Sequence, residues 1–94
     1  MKEQAIQKKI INYCRSRGAV VYNITQAYPN GCPDLLVCYR GHFIGIEVKR
    51  PETKSKVTAL QQLNLSKIKK AQGHSLVAYN LEPVEELLNC LSAS

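Results

Sequence analysis

Near the start of the chain, hydrophobic positions recur every three or four residues. Ile6, Ile10, Tyr13 and Cys14 share one stripe when successive residues are set ~100° apart, and Lys8, Lys9, Asn12, Arg15 and Ser16 take the other side. The spacing predicts a helix over 2–17, stopped by Gly18. Residues 19–24 are β-branched and short, which predicts a strand. Within 25–33, Tyr28-Pro29-Asn30-Gly31 is a turn signal. Residues 34–40 predict a second strand. Its apolar run, Leu35 to Tyr39, implies burial on both faces and a central place in a sheet. Gly41-His42 reads as the turn into a third strand over 42–50, forming a hairpin that Pro51 ends.

Residues 51–57 are a polar, Lys-containing loop. Thr58-Ala59-Leu60-Gln61 is a capping-box pattern that opens a second helix, with Leu60, Leu63, Leu65 and Ile68 inward and Gly73 at its close. Residues 75–80 predict a fourth strand. Pro83 suits the first turn of a last helix, where Val84, Leu87, Leu88 and Leu91 form a stripe that serves as core or as a dimer face. The order αβββαβ plus a C-terminal helix predicts an α/β fold, a mixed four-stranded sheet flanked by helices.

Composition narrows the class. Ninety-four residues suit one domain spanning 1–94, and 45% hydrophobic with 21% charged residues is a globular composition. Thirteen Lys+Arg against seven Asp+Glu give a net charge of +6, which favours a polyanionic partner, most simply nucleic acid. No apolar run approaches the ~20 residues of a membrane span, and the N-terminus lacks the apolar stretch of a signal peptide. With no Trp and one Phe, an amphipathic membrane anchor is not expected either. The expected compartment is the cytoplasm, with the four cysteines reduced. Cys32, Cys38 and His42 match no common zinc spacing.

The third strand carries the chemistry. Alternation puts Ile44, Ile46 and Val48 on one face and Phe43, Gly45, Glu47 and Lys49 on the other. A carboxylate and an ammonium thus project side by side, with Gly45 expected to leave open space next to them. Asp34, the only Asp, opens the neighbouring strand after Pro33. A hairpin about Gly41-His42 places Asp34 near Lys49, with Glu47 about one pleat away. Two carboxylates in one concave spot repel unless a cation lies between them. Hard oxygen ligands suit Mg2+ or Mn2+, and the Val48 backbone carbonyl is a further candidate ligand. Glu3 and Gln7 fall inside the apolar stripe of the first helix, one turn apart, so they can address the same point. A solvated ion pair for Glu47 and Lys49, a turn cap for Asp34 and a helix-dipole partner for Glu3 are the plainer readings.

Pro33-Asp34 followed by Glu47-Val48-Lys49 resembles the PD-(D/E)XK motif of a large nuclease superfamily. Within it, the chain most resembles the stand-alone, phage-type virus-type replication-repair nuclease (VRR-NUC) domain. Glu3 and Gln7, Pro33-Asp34, Glu47-Val48-Lys49-Arg50 and Val57-Thr58-Ala59-Leu60-Gln61 carry the resemblance, which covers residues 3–80. It implies a restriction-endonuclease-like core and a metal-dependent, structure-specific DNA endonuclease. It also implies a homodimer acting on branched DNA, most of all four-way (Holliday) junctions, and a bacterial host cytoplasm if the source is a phage. Asp34, Glu47, the Val48 carbonyl and Glu3 are then the metal ligands, with Lys49 and Gln61 completing the catalytic set. Gln62 is the neighbour to consider beside Gln61. Gln7, Arg50, Lys54, Lys56, Lys8 and Lys9 are candidate DNA contacts. A flap or nicking nuclease with the same site is one alternative. A non-catalytic nucleic-acid-binding module is another, although binding alone gains nothing from three acids facing phosphates.

Overall fold

In a computed structural model, which describes residues 2–25, 30–51 and 57–93, the elements follow the order read from the sequence. They are α1 (Glu3–Ser16), β1 (Val20–Asn23), β2 (Leu35–Tyr39), β3 (His42–Val48), α2 (Ala59–Lys70), β4 (His74–Ala78) and α3 (Glu82–Ser92). The sheet order is β1-β2-β3-β4. The first three strands are antiparallel and β4 runs parallel to β3, so the sheet is mixed and the fold α/β. β2 and β3 are the inner strands.

One sheet face makes the core. Leu35, Val37, Ile44, Ile46 and Val48 pack with Ile6, Ile10 and Cys14 of α1 and Val84, Leu88 and Leu91 of α3, all buried. Each such side chain contributes roughly 1.5–3 kcal/mol by leaving water. Of the two roles open to it, core or dimer face, the α3 stripe is core. Arg17, just past α1, ties the two helices together by donating to Asn89 Oδ1 at 3.0 Å and Ser92 Oγ at 3.1 Å.

The other face is covered unevenly, because α2 packs chiefly on β3 and β4. Leu36 is half-buried and Cys38 exposed, so β2 is central but not buried on both faces. α2 turns Gln61, Leu65 and Ile68 to the sheet, a spacing of four and three residues. Leu60 and Leu63, expected inward, are 46% and 49% exposed, and Asn64 is buried in their place. Asn64 is satisfied there, donating to the Asn30 and Leu60 carbonyls at 3.1 and 2.9 Å.

The hairpin turn is Arg40-Gly41, one residue earlier than expected. Both residues have positive φ, 51° and 83°, the backbone of a two-residue hairpin turn whose twist matches its strands. Tyr39 pairs with His42 and Leu35 with Ile46. That shift of the turn by one residue moves the pairing by two, and it decides what Asp34 faces. Among the described residues, no helix is long and apolar enough to cross a membrane.

Candidate active site

Continuing the β2–β3 register one step past Leu35 and Ile46 sets Asp34 across from Glu47. The expected neighbour, Lys49, lies two residues further on. The next step sets Pro33 across from Val48. The Asp34 carbonyl accepts the Ile24 N–H at 2.7 Å, so the Asp34 main chain faces β1 and that of Pro33 faces β3. Proline has no N–H, so it cannot give the Val48 carbonyl its ladder bond. The Val48 N–H instead donates to Asp34 Oδ2 at 2.9 Å. The Pro-Asp dipeptide thus ends the ladder, fixes the Asp34 carboxylate and deprives one carbonyl of its usual donor.

Glu47 is 2% exposed. Its Oε1 accepts from Gln61 Nε2 at 3.3 Å, and its Oε2 is buried with no hydrogen-bond partner. Burial pushes its carboxyl up to about 8. The adjacent Asp34 carboxyl, which can share a proton with it, and the Glu3 charge add to the rise, and Lys49 opposes it. Lys49 is half-buried on the same face, and its own N–H bonds the Ala78 carbonyl at 3.0 Å. No solvated surface ion pair fits a carboxylate so enclosed, with one oxygen unanswered.

Gln61 holds two positions at once. Its Oε1 accepts the Thr58 N–H at 2.9 Å while Thr58 Oγ1 accepts the Gln61 N–H at 3.1 Å, the capping box expected from the sequence. Its Nε2 is the group that reaches Glu47. Gln62 is exposed. Gly45 leaves no open space, because a Cβ there would stand 2.6 Å from Ile68 Cδ1 and 3.0 Å from Pro33 Cγ. The missing side chain lets α2 lie close enough for Gln61 to reach β3.

Glu3 and Gln7 are half-buried, and with Asp34 they line one cleft of about 730 Å³ between α1 and residues 23–25. Lys8 lines that cleft as well. Lys9 lines a separate cavity of about 430 Å³ with Ile6 and Pro51, on another side of α1. Arg50 is exposed just beyond β3. Lys54 and Lys56 lie outside the described residues. Arg15, at the far end of the Asp34 cleft, was not singled out from the sequence, where it reads only as part of a solvated face.

Among the described residues, no three His, Cys, Asp or Glu side chains group closely enough to cage a metal. The donor set at the hairpin end is two carboxylates and a carbonyl. That set fits a hard divalent cation whose other positions belong to water and phosphate, not a closed zinc site. The unanswered Glu47 oxygen beside Asp34 is the sign of fit, since a cation satisfies it and relieves the repulsion. Cys32 lies nearby, and burial together with Glu47 and Asp34 pushes its thiol up, away from the thiolate that zinc needs.

Neither a protein-family model nor a curated protein matches the sequence. Solved structures match the fold, and two of them are described as VRR_NUC domains. One, described as a VRR_NUC domain, has a TM-score of 0.77 and 25% identity over 93% of this chain and 94% of its own. The other, described as a VRR_NUC domain protein, has a TM-score of 0.71 and 17% identity over 95% of this chain and 86% of its own.

Proposed function

We propose that the chain, whose fold is that of the VRR_NUC domain structures it matches, is a divalent-metal-dependent endonuclease that hydrolyses phosphodiester bonds in branched DNA. The four-way junction is its leading substrate. The observation that carries this reading is the enclosed Glu47 carboxylate, with one oxygen unpartnered, across from Asp34 and beside Lys49. Such a carboxylate costs stability unless a cation answers it.

Asp34, Glu47 and the Val48 carbonyl would hold Mg2+ or Mn2+, with Glu3 contributing directly or through water. Such a cation, when bound, polarises the scissile phosphate and acidifies a water. The chain's own residues prepare both. The Val48 N–H fixes the Asp34 carboxylate, and Gln61 engages one Glu47 oxygen and leaves the other to face the site. Lys49 orients the attacking water or stabilises the charge that builds on the pentavalent phosphate. Gln7, Lys8, Lys9, Arg50, Lys54 and Lys56 are the proposed contacts to the DNA backbone, and phosphate contacts position without reading sequence. A homodimer belongs to this reading because two symmetric cuts need two sites related by a two-fold axis. With the α3 stripe spent on the core, that dimer rests on function.

The test is cleavage of a synthetic four-way junction with Mg2+ or Mn2+, beside flap and linear duplex controls. Paired symmetric nicks in the junction, lost in Asp34→Asn and Lys49→Ala chains that still fold, are the expected result. Cutting of the flap alone would select the flap-nuclease alternative. No cutting of any substrate with either metal would leave a DNA-binding module and overturn the enzyme reading.

A further inference from the structure

We propose that the cleft between α1 and the end of β1 is the track along which one DNA strand leaves the candidate site, with Lys8 and Arg15 holding its phosphates. The inference rests on the nuclease reading and adds to it a direction and a further residue, Arg15. Glu3, Gln7, Lys8, Asn12, Arg15 and Asp34 line the cleft. Positions 8, 12 and 15 repeat at four and three residues, so one flank of α1 makes a whole wall. Residues 23–25, at the end of the edge strand β1, make the other.

Charge is sorted along this cleft. Among the described residues its acids, Glu3 and Asp34, stand at the head, where the metal is proposed, and its cations, Lys8 and Arg15, lie beyond them. The intervening polar residues Gln7 and Asn12 are neutral amides. At 1.5 Å per residue, Arg15 stands ~18 Å along α1 from Glu3. Among the described residues, no aromatic side chain lines the cleft. A phosphate chain running from the cations toward the acids meets the complementary charge throughout, once a divalent cation sits at the head.

Neighbouring cations differ in what they face. Lys8 lines this cleft and Lys9 another. Lys69, near the end of α2, borders a cavity with His74, the first residue of β4, whereas Glu47 pairs near that strand's end. It is therefore a remote control of like charge.

The test is binding of a fluorescein-labelled four-way junction to the full chain in EDTA, by anisotropy over a salt series. Arg15→Ala and Lys8→Ala are each expected to weaken binding about three- to tenfold and to reduce the salt slope by about one. Arg15→Lys should restore the slope, Arg15→Glu should weaken binding further, and Lys69→Ala should leave affinity and slope unchanged. Unaltered melting temperatures will show that these exposed positions leave the fold intact. Wild-type affinity and slope in Arg15→Ala and Lys8→Ala, or an equal loss in Lys69→Ala, would overturn the track. If the slopes change as expected but the wild type cuts nothing with Mg2+ or Mn2+, the track stands and the nuclease reading fails. If the wild type cuts and both variants bind and cut as it does, the reverse holds.

Discussion

Gln61 donates from Nε2 to Glu47 Oε1 at 3.3 Å while its own Oε1 caps the Thr58 N–H at 2.9 Å. Two substitutions separate these roles. Thr58→Ala removes the cap but leaves Gln61 in place, so it should cost ~1 kcal/mol of stability and leave activity per folded molecule near that of the wild type. Gln61→Glu keeps a capping-box residue but replaces the amide donor with a third carboxylate against Glu47. Stability should change little and cleavage should fall at least about tenfold, the cost of one lost charge-assisted contact in the site. Chemical unfolding and single-turnover cleavage give the two readouts. A large activity loss in Thr58→Ala would show that the cap, not the Nε2 contact, is what matters.

Burial and Asp34 push the Glu47 carboxyl from its ordinary 4.5 up to about 8 in the metal-free chain. Between those values the folded chain keeps a proton that the unfolded chain has released. The stabilising contribution is therefore complete below about pH 4.5 and is lost as pH rises through about 8. In EDTA, the melting temperature of the wild type should fall relative to that of Glu47→Gln as pH is raised across this range. Mn2+ should reverse the fall in the wild type and have no such effect in Glu47→Gln, because the ion takes the place of the proton. Parallel pH profiles for the two chains would mean that Glu47 is solvated and ordinary.

The element order was legible because periodicity and punctuation agree at the helix boundaries: Gly18 after the Ile6–Ile10–Cys14 stripe, Thr58 and Gln61 at the start of α2, Pro83 in the first turn of α3. The side-by-side projection of Glu47 and Lys49 was legible from alternation, and Asp34 joined them through the hairpin. Register was not, because it depends on Arg40 adopting a backbone that non-glycine residues seldom take. Nor was the role of Leu60 and Leu63, since a weakly amphipathic helix does not announce which side meets the sheet. The partial cover of β2 follows from where α2 docks, which only tertiary packing decides.

Arg40 should be replaceable with profit to the fold. A left-handed backbone brings the Cβ of an ordinary residue close to the next carbonyl oxygen, and Asn relieves this by bonding locally. Arg40→Asn is expected to stabilise the chain by ~0.5–1 kcal/mol with cleavage unchanged, read by thermal unfolding and the junction assay. A Pro at the same position, which forbids positive φ, should destabilise it by more than Asn gains. If Asn and Pro behave alike, the turn is not Arg40-Gly41, and the pairing of Asp34 with Glu47 falls with it.

Gly45 links the core of the sheet to the candidate site through α2. An added Cβ would stand 2.6 Å from Ile68 Cδ1, the movable end of a side chain, and 3.0 Å from the Pro33 ring, which the Asp34 main chain holds through its bond to Ile24. Relief by Ile68 means lifting α2 or leaving a rotamer minimum, a cost of ~1–3 kcal/mol for an overpacked contact. Lifting α2 also draws Gln61 away from Glu47, so Gly45→Ala should lose cleavage along with stability. Ile68→Val shortens the offending chain and should cost ~0.5–1.5 kcal/mol alone. In the double substitution it should recover most of both losses, giving a coupling of about 1 kcal/mol between residues in contact. Simple addition of the two single effects would show that the space over Gly45 is not what holds α2 to the site.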